Sequence, residues 1–107
     1  MSLDINLIAV REVSVFDYNI THNLTEMAKH ADLYLPCWHP LDLNIETAGE
    51  LIPYLESGLM KLKSAPDFFK TFNPENNWGN YDCLVDFVEK YLIACKENPD
   101  AEINIWS

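Results

Sequence analysis

Only three glycines occur in the chain, Gly49, Gly58 and Gly79. They are too scattered to build a phosphate-cradling loop or a GxSxG nucleophile elbow. HExxH, CxxC and HxxxH spacings are also absent, which removes the usual local signatures of zinc sites and dithiol centres. No apolar run approaches the roughly 20 residues of a membrane-spanning helix. The N-terminus has no basic region followed by an apolar stretch, so no secretory signal is expected. Positive charge is scarce: 7 Lys and Arg stand against 17 Asp and Glu, a net charge of −10. A field of that sign repels phosphates, so direct nucleic-acid binding is not expected. The same field attracts a basic protein surface, although an acidic exterior also simply keeps a small protein soluble.

Cysteine is sparse and unpaired in pattern. Cys37, Cys83 and Cys95 are odd in number, and Cys83 and Cys95 fall in an apolar helical stretch where cysteine behaves as a small hydrophobe. A reducing, cytoplasmic setting follows. The sequons Asn19-Ile20-Thr21 and Asn23-Leu24-Thr25 then read as coincidence rather than as glycosylation sites.

What remains is a core-forming chain. With 49% apolar residues over 107 positions, residues 1–107 make a single domain able to bury a core without staples. Asp4 to Val10 and Val13 to Ile20 alternate with period two, as half-buried strands do. Thr21 caps a short helix, His22 to Ala31, with Leu24, Met27, Ala28 and Ala31 on one face. Residues 32–46 read as a loop holding Pro36, Trp38, His39 and Pro40. Thr47-Ala48-Gly49-Glu50 is a capping box opening a helix to about Lys63, with Leu51, Leu55, Leu59 and Leu62 as its buried stripe. A helical turn over Asp67 to Phe72 and a polar loop over Asn73 to Asn80 follow. Asn80 caps a last helix, Tyr81 to about Glu97, before Asn98-Pro99-Asp100 and a strand from Ala101 to Trp106.

The order ββααα(α)β predicts an α+β domain: a three-stranded antiparallel sheet, helices packed on one face, and the last strand beside the first. The alternation assigns Ile5, Leu7, Ala9, Val13, Val15, Ala101, Ile103 and Ile105 to the helix side. Ile8, Val10, Phe16, Tyr18, Ile20 and Trp106 then lie on the other face. That is too apolar for water alone, and a homodimer packed through Ile8, Val10, Phe16, Tyr18 and Trp106 would cover it.

Candidate sites are few. His22 and His30 are eight residues apart on a helix, about 12 Å along its axis, too far to share an ion, and Cys37 and His39 would need ligands from elsewhere. No metal and no cofactor are expected. Cys37, in a loop near His39, is the one thiol placed for nucleophilic work, but the signatures of catalytic cysteine are missing. No catalytic residues are assigned. His22 and Asn23 sit in the first turn of a capped helix, where a neutral imidazole is favoured over a charged one. They are helix punctuation first and ligand contacts second. Trp38 and His39 in one loop, and Trp78 with Tyr81 around another, are either lids over the core or anchors for a partner.

The segments Ile20-Thr21-His22-Asn23-Leu24, Trp38-x-Pro40, Leu51-Ile52-Pro53 and Trp78-Gly79-x-Tyr81, with Pro99-Asp100-Ala101, together resemble a family of small bacterial and prophage-borne proteins without an assigned activity. The resemblance spans residues 18–105. It implies a phage or bacterial, cytoplasmic setting and carries no catalytic residues. The expectation is a non-enzymatic, acidic interaction protein that engages a basic host protein and no membrane. The rival is a small-ligand-binding or hydrolytic protein built around His22, Asn23, Trp38, His39 and Trp78.

Overall fold

The computed structural model describes residues 2–8, 14–74 and 79–106, the side chains of residues 14, 15, 17 and 106 excepted. Three strands, β1 (Ser2–Ile8), β2 (Ser14–Thr21) and β3 (Glu102–Trp106), form one sheet in the order β2-β1-β3. Both pairings are antiparallel. Between β2 and β3 run a 3₁₀ turn (His22–Leu24), α1 (Thr25–His30), α2 (Tyr34–Trp38), a second 3₁₀ turn (Pro40–Leu43), α3 (Ala48–Ser64), α4 (Pro66–Lys70) and α5 (Tyr81–Glu97). This is the expected α+β arrangement, with the last strand against the first. Among the described residues no helix is long and apolar enough to cross a membrane.

The two long helices follow from their caps and spacing. The Thr47 hydroxyl and the Glu50 carboxylate satisfy each other's backbone N–H groups at the start of α3. Asn80 accepts a bond from the Cys83 N–H at the start of α5. On α5, Leu84, Phe87, Val88, Tyr91 and Cys95 recur at helical spacing and are buried, a stripe that packs against both α3 and β2. Gly58 is the close-approach point of α3: a Cβ there would stand 2.2 Å from Leu33 Cδ2. Leu33 thereby seats the start of α2 directly on the α3 backbone.

The expected sheet faces need one correction. Leu3, Ile5 and Leu7 of β1 pair with Ile20, Tyr18 and Phe16 of β2. Phe16, Tyr18 and Ile20 therefore share the helix-covered face with β1. Phe16 stacks on Tyr91 at 5.6 Å and 3°, and Tyr18 meets Phe87 at 5.1 Å. The Tyr18 hydroxyl donates to Asp86 on α5 at 2.7 Å. The physical reason is that residues 13–20 contain two apolar sets of opposite parity, and a one-residue change of register exchanges faces. The aromatic set has the larger side chains to bury, and the ladder shifts between Leu7 and Ile8, with Leu7 opposite Phe16 and Ile8 opposite Ser14.

Among the described side chains the outer face is mostly polar. Asn19 Nδ2 donates to Ser2 Oγ and Asp4 Oδ1 at 2.8 and 2.6 Å, and Asn6 stands opposite Asn104. A dimer face built on Phe16 and Tyr18 is removed, because α5 already covers them. Ile8 stays on the outer face, half-buried. Val10 and the Trp106 side chain lie outside the described residues.

The stretch 32–46 also departs from a loop. It holds α2 and the Pro40–Leu43 turn, punctuated by Asp32 and Asn44, both at φ 59°. Asp and Asn tolerate this left-handed conformation better than other side chains with a Cβ. Asp32 ends α1, where Leu33 N–H reaches back to Ala28 O at 2.8 Å, and its carboxylate pairs with Lys61 of α3. Asn44 ends the second 3₁₀ turn, where Ile45 N–H closes on Pro40 O at 3.0 Å.

Candidate functional site

Trp38, at the end of α2, is 3% exposed. Its ring stacks on Tyr34 at 6.0 Å and meets the edge of Phe87 at 6.5 Å. A buried indole N–H needs an acceptor, and Nε1 finds one in His22 Nδ1 at 2.8 Å. Accepting at Nδ1 places the neutral ring's proton on Nε2. His22 is thus more than punctuation. Thr21 does cap its turn, its hydroxyl accepting from Asn23 N–H at 3.3 Å, and the imidazole then closes the polar side of a core tryptophan. Asn23 is exposed beside it.

His39 is exposed and shares a 3.1 Å hydrogen bond between Nε2 and the Tyr34 hydroxyl. Lys29 lies 4.9 Å from the centre of the same Tyr34 ring. Trp38 and His39 thus both touch Tyr34, a residue the sequence did not single out, and His22 reaches this group through Trp38. Tyr81 stands elsewhere: it is buried, and its hydroxyl donates to Leu62 O of α3 at 2.6 Å. As a partner contact it is corrected to a core pin between α5 and α3. Trp78 lies outside the described residues. Gly79 lies against the capped turn, where a Cβ would stand 2.6 Å from Thr21 Cγ2, so this loop and the His22 turn adjoin.

Nucleophilic chemistry is poorly served. Cys37 is fully buried, and burial, with Cys95 adding to it, pushes its thiol far above the ordinary range. Burial holds the Cys95 thiol up at about 12. Among the described residues no three His, Cys, Asp or Glu side chains gather as a metal set would.

The recess beside Trp38 has another character. A cleft of about 280 Å³ opens between the Pro40–Leu43 turn and β3, lined by Trp38, His39, Pro40, Leu41, Asp42, Ile45, Ile103 and Ile105. Leu41 is 72% exposed on its wall. Segments 46–49 and 99–103 run side by side at one end. Ala48 N–H donates to Ala101 O at 2.9 Å, Gly49 N–H to Pro99 O at 2.8 Å, and Ile103 N–H to Glu46 O at 3.4 Å. This gathers Glu46, Glu50, Asp100 and Glu102 around one corner of the molecule, with Asp42 on the cleft beside it. The three donors that meet the Glu50 carboxylate hold its pKa below the usual range.

Ile103 and Ile105 could have been suspected from their alternation. Nothing local in residues 40–46 announces that they lie along β3. No family model, curated protein or solved structure matches the chain.

Proposed function

We propose that the chain is a non-enzymatic interaction protein of the bacterial or phage cytoplasm, whose acidic surface engages a basic surface on a host protein. The observation that carries this reading is the disposition of the lysines. Lys29, Lys61, Lys63, Lys90 and Lys96 pair with Glu26, Asp32, Glu89, Asp86 and Glu56. Lys70 lies 5.6 Å from the centre of the Tyr81 ring. The lysines are thus taken up along the helices, while Asp42, Glu46, Glu50, Asp100 and Glu102 have no ion-pair partner among the described residues. Unpaired carboxylates on one corner make a local negative potential that reaches about 8–10 Å at physiological salt, enough to steer a basic partner.

A hydrolytic or small-ligand site around His22, Asn23, Trp38, His39 and Trp78 has less support. His22 Nδ1 is engaged by Trp38, and the nearest thiol is sealed in the core.

The test is affinity purification of the tagged chain from a bacterial host at low and high salt. The reading expects a protein with a basic surface retained at low salt, released at high salt, and lost to a Glu46→Lys/Glu102→Lys chain. Retention indifferent to both changes contradicts it.

A further inference from the structure

The outer edge of β3 is only half occupied. Thr47 bridges antiparallel to Glu102, so residues 46–48 stand as the stub of a fourth strand. The bonds Ala48 N–H to Ala101 O and Ile103 N–H to Glu46 O establish that residues 101 and 103 turn their backbone groups outward. By the period of two along a strand, Ile103 C=O and both backbone groups of Ile105 face the same way. Among the described residues no strand stands there, because β3 is the edge of the order β2-β1-β3. The covering chain leaves at Asn44, whose left-handed conformation and the Ile45–Pro40 bond turn it away. The cleft is the gap that this departure opens.

We propose that this gap is a strand-addition site: an extended segment of the basic partner continues the stub along Ile103–Ile105 and inserts aliphatic side chains into the cleft. The inference rests on the acidic-interaction reading above and says how the partner is held. Three observations converge on that occupant. Backbone donors and acceptors in a row that no described residue meets call for an extended chain. The floor of half-buried Ile103 and Ile105, walled by Trp38, Pro40 and Leu41, suits one or two aliphatic side chains. Glu102, on the opposite face of β3 from Ile103 and Ile105, has no ion-pair partner among the described residues, so it fits a lysine or arginine at the alternate positions. Asp42 on the cleft wall adds to the negative potential there. The one charge on this edge is Glu102, and Glu-Ile-Asn-Ile-Trp contains neither lysine nor proline, so a basic extended segment is not repelled from it.

The probe is a capped octapeptide alternating lysine and valine, compared with the same peptide N-methylated at every second residue. N-methylation removes backbone donors and leaves charge and side chains in place. Both are titrated into the isotope-labelled full chain, followed by amide shifts and hydrogen exchange. The inference expects shifts confined to residues 40–47 and 102–106 and slowed exchange of the Ile105 amide. It also expects about tenfold weaker binding of the methylated peptide, as losing one or two hydrogen bonds implies, and weakened binding of the unmodified peptide by Glu102→Lys.

Equal binding of the two peptides, with the Ile105 amide unprotected, overturns strand addition but leaves charge-driven recognition standing. An Ile105 amide already protected in the free chain, with diffusion of a dimer, overturns it by assigning the edge to a second copy. Failure of both peptides to bind at low salt overturns it too. The acidic-interaction reading falls separately, with the salt-dependent purification.

Discussion

Trp38 Nε1 and His22 Nδ1 are joined by a 2.8 Å hydrogen bond across sixteen residues of sequence. That bond ties the turn after β2 to the end of α2 and fixes one wall of the β3 cleft. Replacing His22 by alanine leaves a nearly buried indole N–H without its acceptor. The expected cost is about 1–2 kcal/mol in urea unfolding. A His22→Ala/Trp38→Phe pair should cost less than the sum of its single changes, because the orphaned donor is gone.

Gly58→Ala should destabilise, against the ordinary helix preference for alanine. Propensity favours Ala by about 1 kcal/mol, but the new methyl meets Leu33, which is fully buried and cannot swing away. Overpacking of this kind costs about 1–3 kcal/mol, so the net loss is on the order of 1 kcal/mol. In a Leu33→Ala background, itself less stable, Gly58→Ala should cost less than it does alone, a coupling that a double-mutant cycle by thermal unfolding would record.

The architecture was legible because capping boxes, helical stripes and period-two runs are local signals. Thr47 with Glu50, Asn80, and the α5 stripe each declare themselves within a few residues. The faces of β2 were not legible. Val13 and Val15 offer one apolar parity and Phe16, Tyr18 and Ile20 the other, and the choice is made by α5 through Tyr91, Phe87 and Asp86, some seventy residues away in sequence. The site was half legible for the same reason. Trp38 and His39 stood out by type, but the pairing of Trp38 with His22, and the path of residues 40–46 along β3, are tertiary facts.

Tyr91→Phe should leave stability unchanged or raise it by up to about 1 kcal/mol. The Tyr91 hydroxyl is buried with no hydrogen-bond partner among the described residues, and an unsatisfied buried hydroxyl costs about 1–3 kcal/mol. Phenylalanine keeps the stack on Phe16. A higher urea midpoint at unchanged slope is the expected result; a loss above 1 kcal/mol would reveal a partner for the hydroxyl.

Stability should decline in alkali, beginning near pH 9. Burial raises the thiols of Cys37 and Cys95 and the hydroxyl of Tyr91, and burial with Asp86 raises Tyr18 to about 12. The folded chain keeps these protons where the unfolded chain has released them. Their contribution is therefore whole below the unfolded values, near 9 for thiols and 10 for phenols, and is lost as pH rises through the folded ones. Urea midpoints should be flat in this respect from pH 7 to 8.5 and fall from pH 9 to 11. In native buffer at pH 8, a thiol reagent should label exposed Cys83 and spare Cys37 and Cys95 until urea is added.

The most direct test of the account removes equal charge from two places. With a partner in hand, its affinity is measured for Glu46→Gln/Glu102→Gln and for Asp67→Asn/Asp82→Asn at two salt concentrations. Asp82 is in the first turn of α5, about 22 Å of helix from the end that leads into β3. The account predicts that the first pair weakens binding severalfold more than the second and flattens its salt dependence. Equal losses from the two pairs would mean that net charge alone attracts the partner, and would contradict a recognition surface beside β3.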